Sequence, residues 1–217
     1  QFVGTSVVVT PKYFPQDVEI VASGTTGGTF LEGEFFANSG TGTTSINKDD
    51  LVAHLASYST VISASGYVSV KTSFTSQTAS DLVLKAGGYV NADENVRLET
   101  HGGDLVLWAD SDQSAGGYVR LLTNSEICTT GGTCGTTTTG GGDIVIGGGA
   151  ADPDNPNRPG GYAVGSGSTY DSTNPTSDTT GIQLGRLGST NTGPQLYSAG
   201  GDIILRGQMG TAIGNAW

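Results

Sequence analysis

The sequence predicts a mostly β chain built as a solenoid, a coiled stack of short strands, and three observations carry that expectation. Gly66-Tyr67-Val68, Gly88-Tyr89-Val90 and Gly117-Tyr118-Val119 recur along the chain, with a variant at Gly161-Tyr162-Ala163. Each is followed by an Asp-led apolar stretch: Asp81-Leu82-Val83-Leu84, Asp104-Leu105-Val106-Leu107, Asp143-Ile144-Val145-Ile146 and Asp202-Ile203-Ile204-Leu205. Glycine supplies 36 of the 217 residues, more than twice the usual ~7%, and Gly-Gly pairs and Ser/Thr clusters punctuate runs of Val, Ile, Thr and Tyr as turns punctuate strands. Self-similarity at a period near ~20 residues is the mark of stacked units that bury their apolar faces against neighbours.

The elements follow in chain order. Residues 1–45 read as an irregular β flank, with strand-like Val7-Val8-Val9 and Val18-Glu19-Ile20-Val21, a turn-rich stretch from Gly24 to Gly28, and a Phe30/Phe35/Phe36 cluster. One short helix is expected next. Asn47 is its N-cap, Asp49 and Asp50 fill the first turn, and Leu51 and Leu55 lie one turn apart. Residues 46–217 form the repeat body, interrupted by loops at about 123–142 and 150–180 that should project from it, and running to Trp217 without a cap. Two-residue alternation sends Val68, Leu82, Leu84, Val90, Leu105, Leu107, Val119, Ile144, Ile146, Ile203 and Leu205 into one core and leaves Asp81, Asp104, Asp143 and Asp202 at turns.

Composition narrows function. A net charge of −11 with nine scattered Lys and Arg disfavours nucleic acid, whose phosphates need clustered cations. No apolar run approaches the ~18 residues that span a bilayer. A start at Gln1 suggests a mature or excised segment, so the lack of a signal peptide does not argue for the cytosol. Cys128 and Cys134 flank Thr-Thr-Gly-Gly-Thr, and with neither a His nor a further Cys nearby to complete a zinc site, a disulfide is expected; it favours an oxidising, extracellular setting.

Several strings together resemble the repeats of filamentous-haemagglutinin-like bacterial adhesins. They are Gly102-Gly103-Asp104-Leu105-Val106-Leu107-Trp108-Ala109-Asp110-Ser111-Asp112, Gly141-Gly142-Asp143-Ile144-Val145-Ile146-Gly147-Gly148-Gly149, an Asp/Pro/Asn-rich insert ending in Gly-Tyr-Ala, Gly181-Ile182-Gln183-Leu184-Gly185, and Gly200-Gly201-Asp202-Ile203-Ile204-Leu205-Arg206-Gly207. Their order matches as well. The resemblance covers roughly residues 60–213 and implies a right-handed parallel β-helix within a very large secreted or surface-anchored protein, without enzymatic activity. The Cys128/Cys134 loop and the Pro-rich form of the insert depart from that pattern.

Tyr67, Tyr89 and Tyr118 share one place in successive units; because the Val after each takes the core side, the tyrosines should be partly exposed, as a ladder or as a flat platform for sugar rings. Asp152 and Asp154 present oxygens at i and i+2, as a calcium loop does, although Pro156 stands where a third ligand would fall. Asp110 and Asp112 have the same spacing. The repeated aspartates could line up as a calcium-binding ladder or each cap its own Gly-Gly turn. Asp110, Asp112 and Glu99 could be imagined as the paired carboxylates of a β-helix glycosidase or polysaccharide lyase, with His54 and His101 as the available imidazoles, but the nucleophile-elbow, zinc-protease and P-loop motifs are absent. The expected function is therefore that of a structural segment of an extracellular adhesin or surface filament. Its expected partners are host or surface glycans or proteins, or copies of itself, with no cofactor beyond a possible calcium.

Overall fold

A computed structural model describes residues 12–114, 116–165, 180–185 and 192–210. The expected strand at Val7-Val8-Val9, the insert beyond residue 165 as far as 179, and the expected uncapped end at Trp217 lie outside them. The chain is mostly β with one short helix, Lys48–Leu55. That helix forms as its sequence dictates. Asn47 is extended at φ −67°, ψ 129°, its side chain accepts from the Asp49 amide, and Leu51 and Leu55 are buried.

The single right-handed parallel β-helix is corrected by the strand pairing, which divides the chain among four separate sheets, parallel and mixed. A six-stranded sheet orders Ile182–Leu184, Val119–Leu121, Val90–Ala92, Val68–Val70, Asp17–Val21 and Thr43–Asn47, all parallel. Gln195–Tyr197, Glu126–Cys128, Arg97–Glu99 and Phe74–Thr75 make a four-stranded parallel sheet. The eight-stranded sheet contains Thr60–Ala64, Leu82–Ala86, Leu105–Ala109, Ile144–Ala151 and Ile203–Leu205 in parallel, but is mixed because it closes on antiparallel partners. Gly28–Leu31 runs against Glu34–Ala37, and Pro159–Gly161 against Ile144–Ala151. Ala163–Val164 and Gly207–Gln208 form the fourth sheet. The physical reason lies in the connections. Short turns at Glu32-Gly33 and in the Pro-rich insert reverse the chain locally, and a tight reversal joins only antiparallel strands.

Within the three larger sheets, equivalent residues of successive repeats sit side by side. Leu105 pairs with Leu82 and with Ile144, and Val90 with Val68 and Val119. Their inward side chains make one apolar cluster with Leu51, Leu55, Leu98 and Ile127. The first expected core strands fit. Ile203 and Leu205 do not: they are 45% and 43% exposed, because their strand pairs on one side only among the described residues, with Ile144–Ala151. Asp17–Val21, from the expected flank, lies between Thr43–Asn47 and Val68–Val70, in direct register with the repeats.

The Gly-Gly-Asp motif has a steric cause. A Cβ on Gly103, Gly142 or Gly201 would run into the backbone of the preceding unit, at Ser80, Gly103 and Gly142 respectively. Neighbouring repeats therefore touch backbone to backbone at this corner, and a larger residue would part them.

Candidate functional site

Three sets of polar side chains lie outside the core. One is the aspartate row. Asp104 donates its amide to Asp81 Oδ1 at 2.9 Å, Asp143 to Asp104 Oδ1 at 2.8 Å, and Asp202 to Asp143 Oδ1 at 2.8 Å. The carboxylates of Asp81, Asp104 and Asp143 thus each bind the next repeat. Arg158, from the insert, bridges the row by pairing with Asp104 and, at 2.8 Å, with Asp143. The Asp202 amide and Arg158 hold the Asp143 carboxyl below its ordinary range against the opposing effect of burial. For Arg158, the two carboxylates outweigh desolvation and raise its pKa.

The part of the insert that is described does not project. It folds back over the outer face of the eight-stranded sheet, where Val83, Val106, Trp108 and Val145 form a second apolar cluster that needs cover. Trp108 donates its indole N–H to Gly149 O at 2.8 Å and lies under the Lys85 ammonium, 4.1 Å from its ring. Arg206 donates to Pro159 O at 2.6 Å. Asp152 is half-buried and Asp154 exposed in the turn that leads into Pro159–Gly161, where Asp152 Oδ1 accepts the Asp154 amide at 2.9 Å. Asn155 accepts the Asn157 amide in the same way. These are Asx turns, and of the carboxylate oxygens expected for calcium they commit Asp152 Oδ1 to the backbone.

A second set surrounds the cysteines. Their sulfurs are at disulfide-bonding distance, with Cα atoms 6.0 Å apart. Arg97 reaches Cys134 Sγ at 2.7 Å and the buried Glu99 carboxylate at 3.0 Å, and Thr75 donates to Glu99 at 3.0 Å. Glu99, Cys128 and Cys134 are the group of metal-ligating types that converges among the described residues; with both sulfurs in the disulfide, Glu99 alone keeps a ligand atom. Asp110 sits elsewhere, at the turn after Leu105–Ala109, with φ 50°, 7% exposed and with Oδ1 unpaired. Burial pushes its carboxyl up, as does the charge of Asp112, against the lowering hydrogen bond from the Gly116 amide. His54 is stacked between Phe30 and Tyr58 at 4.7 and 5.0 Å, and burial lowers its pKa. His101 occupies a left-handed turn position, φ 49°.

The third set is on the outer face of the six-stranded sheet. Tyr67, Tyr89 and Tyr118 form a column with ring centroids 5.0 Å apart and planes within 7° and 3° of parallel. Spacing and tilt match adjacent strands, ~4.8 Å apart. The rings turn their faces onto one another as in a ladder, so the column presents edges and hydroxyls in place of the flat faces a platform would offer. Tyr118 is buried rather than partly exposed, because Arg120 covers its ring at 4.7 Å.

Beside the column, Glu19, Ser69, Asn91 and Arg120 lie in one row set by strand register. Ser69 and Asn91 are short and leave a depression between the tyrosines and the next row, Lys71 and Asp93. It is a groove of about 430 Å³. Lys71 pairs with Glu19 at 3.0 Å, which raises the lysine pKa, and Asn91 Nδ2 donates to Asp93 at 2.6 Å. Sequence reasoning found the tyrosines and missed this groove; its signal was the two-residue alternation of Val68-Ser69-Val70-Lys71 and Val90-Asn91-Ala92-Asp93, which sets a polar stripe beside the aromatic one.

No helix among the described residues is long and apolar enough to cross a membrane. Compared with known proteins, the chain matches no family model, no curated protein and no solved structure.

Proposed function

We propose that this chain is a structural segment of an extracellular bacterial adhesin or surface filament, which mediates attachment through side chains repeated on a stacked β scaffold. The observation that supports this most is the periodic outer face of the six-stranded sheet, where the tyrosine column repeats one residue type at one register position. Such rows suit contacts multiplied along a surface, whereas catalysis needs unlike groups converging on a reacting atom. The cysteine pair supports an oxidising location, and the resemblance to filamentous-haemagglutinin-like repeats points the same way.

The test is attachment. Beads carrying the purified chain should adhere to immobilised cell-surface material above beads carrying an unrelated acidic β protein, without changing that material chemically. Adhesion at the control level would remove the reading. Turnover of a glycan, abolished by Asp110→Asn, would replace it with a carbohydrate-active enzyme.

A further inference from the structure

Resting on the attachment reading, we infer that the groove beside the tyrosine column is a binding site for a short neutral oligosaccharide lying across the strands. Size is the first argument. At about 430 Å³ the groove falls within the ~300–1,000 Å³ of small-ligand sites. From Glu19 to Arg120 it crosses three strand spacings, about 14 Å at ~4.8 Å each.

Charge is the second. Glu19 and Asp93 are matched by Lys71 and Arg120, so the groove is electrically balanced although the chain carries −11. A polyanion entering it would meet two carboxylates and a polycation would meet two cations; a neutral ligand meets no repulsion. The polar atoms supply the third argument. Carboxylates accept, the ammonium and guanidinium donate, and Ser69 and the tyrosine hydroxyls can do both. Sugar hydroxyls donate and accept alike, and complement such a mixture. Asn91 donates its amide N–H groups to Asp93 at 2.6 Å and to Ser69 at 3.5 Å, which fixes the side chain as the floor of the groove between the two charged rows. The ring edges and Leu122 give C–H surface for the apolar patches of a pyranose.

Calorimetric titration of the purified chain with cellotetraose, chitotetraose, maltotetraose and lacto-N-tetraose, beside heparin and polylysine, tests this. At least one neutral tetrasaccharide should bind saturably, with affinity changing less than about twofold between low and high salt, since no net charge is screened. Lys71→Ala and Asn91→Ala should each weaken it about tenfold or more. Asp154→Ala, on the insert, should leave it unchanged. Lys71 is half-exposed on the rim, so its variant tests the site even if Asn91→Ala does not fold. Binding of none of the four, binding of heparin or polylysine alone, or binding indifferent to Lys71→Ala would overturn the inference. A chain that still adheres to cell-surface material in that case would leave the attachment reading intact.

Discussion

The six-stranded and eight-stranded sheets line the same core, yet they treat their outer faces in opposite ways. Strands of the first alternate, as in Val68-Ser69-Val70 and Val119-Arg120-Leu121, and their outward residues are polar and bounded by tyrosines. Strands of the second are apolar in succession, as in Leu105-Val106-Leu107-Trp108 and Ile144-Val145-Ile146, and are buried on both faces. A continuous apolar run marks a strand covered twice, and alternation marks one covered once. The difference teaches where stability resides and which face is left for the proposed recognition. The eight-stranded sheet carries a second apolar cluster under the insert, and the six-stranded sheet leaves a polar groove on its face, where the proposed contacts would be made.

Truncating the covered face gives the largest expected effect. Trp108→Ala removes a side chain that is 1% exposed and should cost roughly 3–5 kcal/mol in urea unfolding. Lys71→Ala on the open face, which loses a partly exposed ion pair, should cost no more than ~1 kcal/mol. Equal losses would break the comparison.

Arg158→Ala comes next, at roughly 1.5–3 kcal/mol near neutral pH for lost charged hydrogen bonds. The Asp143 carboxyl is held low in the fold, so its contribution is complete above the unfolded value of ~3.9 and is lost as pH falls through the lower folded value. The gap between wild type and Arg158→Ala, followed by unfolding at several pH values, should narrow below that point.

Replacing both cysteines by serine should cost about 2 kcal/mol on the chain-entropy estimate for a short closed loop. The same denaturation measurement checks it, with mass spectrometry of unreduced peptides to establish the bond in the parent. Two freely alkylated thiols there would remove the residue-level support for an oxidising compartment.

The smallest effect has the opposite sign. Asp110 is buried with its pKa raised, so ionisation opposes folding, and wild type should gain stability as pH falls through the raised folded value toward the unfolded ~3.9. Asp110→Asn should remove that dependence and be neutral or stabilising by up to about 1 kcal/mol at pH 7. A destabilised variant with an unchanged pH profile would show that the ionised carboxylate is needed.

Much of this architecture was legible from particular residues. The alternation at Val68, Val90 and Val119 and the runs at Leu82, Leu105 and Ile144 located core strands, and Asn47 with Leu51 and Leu55 located the helix. The four-stranded sheet was not visible, because Arg97–Glu99 and Glu126–Cys128 share no repeated motif of the Gly-Tyr-Val kind and each sends a single aliphatic residue, Leu98 or Ile127, into the core. Separate sheets were expected as one coil because repeated motifs report that units stack without reporting how the chain turns between them. The unbroken Leu105-Val106-Leu107-Trp108 run did hold the sign of a covering element, but which segment supplied the cover depended on Arg158 reaching Asp143 and the more distant Asp104 in neighbouring repeats. For the candidate site, the tyrosines were readable from their repetition. The groove was not, since it arises from short side chains at Ser69 and Asn91 set between long ones in neighbouring strands.

The most direct test of the central claim, that the open sheet recognises and the covered sheet stabilises, is adhesion of beads bearing wild type, Lys71→Ala or Arg158→Ala to immobilised cell-surface material, with unfolding curves recorded for each. Adhesion should fall sharply for Lys71→Ala while its unfolding curve stays near wild type, and should persist for Arg158→Ala below its lowered unfolding transition. Full adhesion by Lys71→Ala together with its loss in a still-folded Arg158→Ala would place recognition on the covered side and contradict the account.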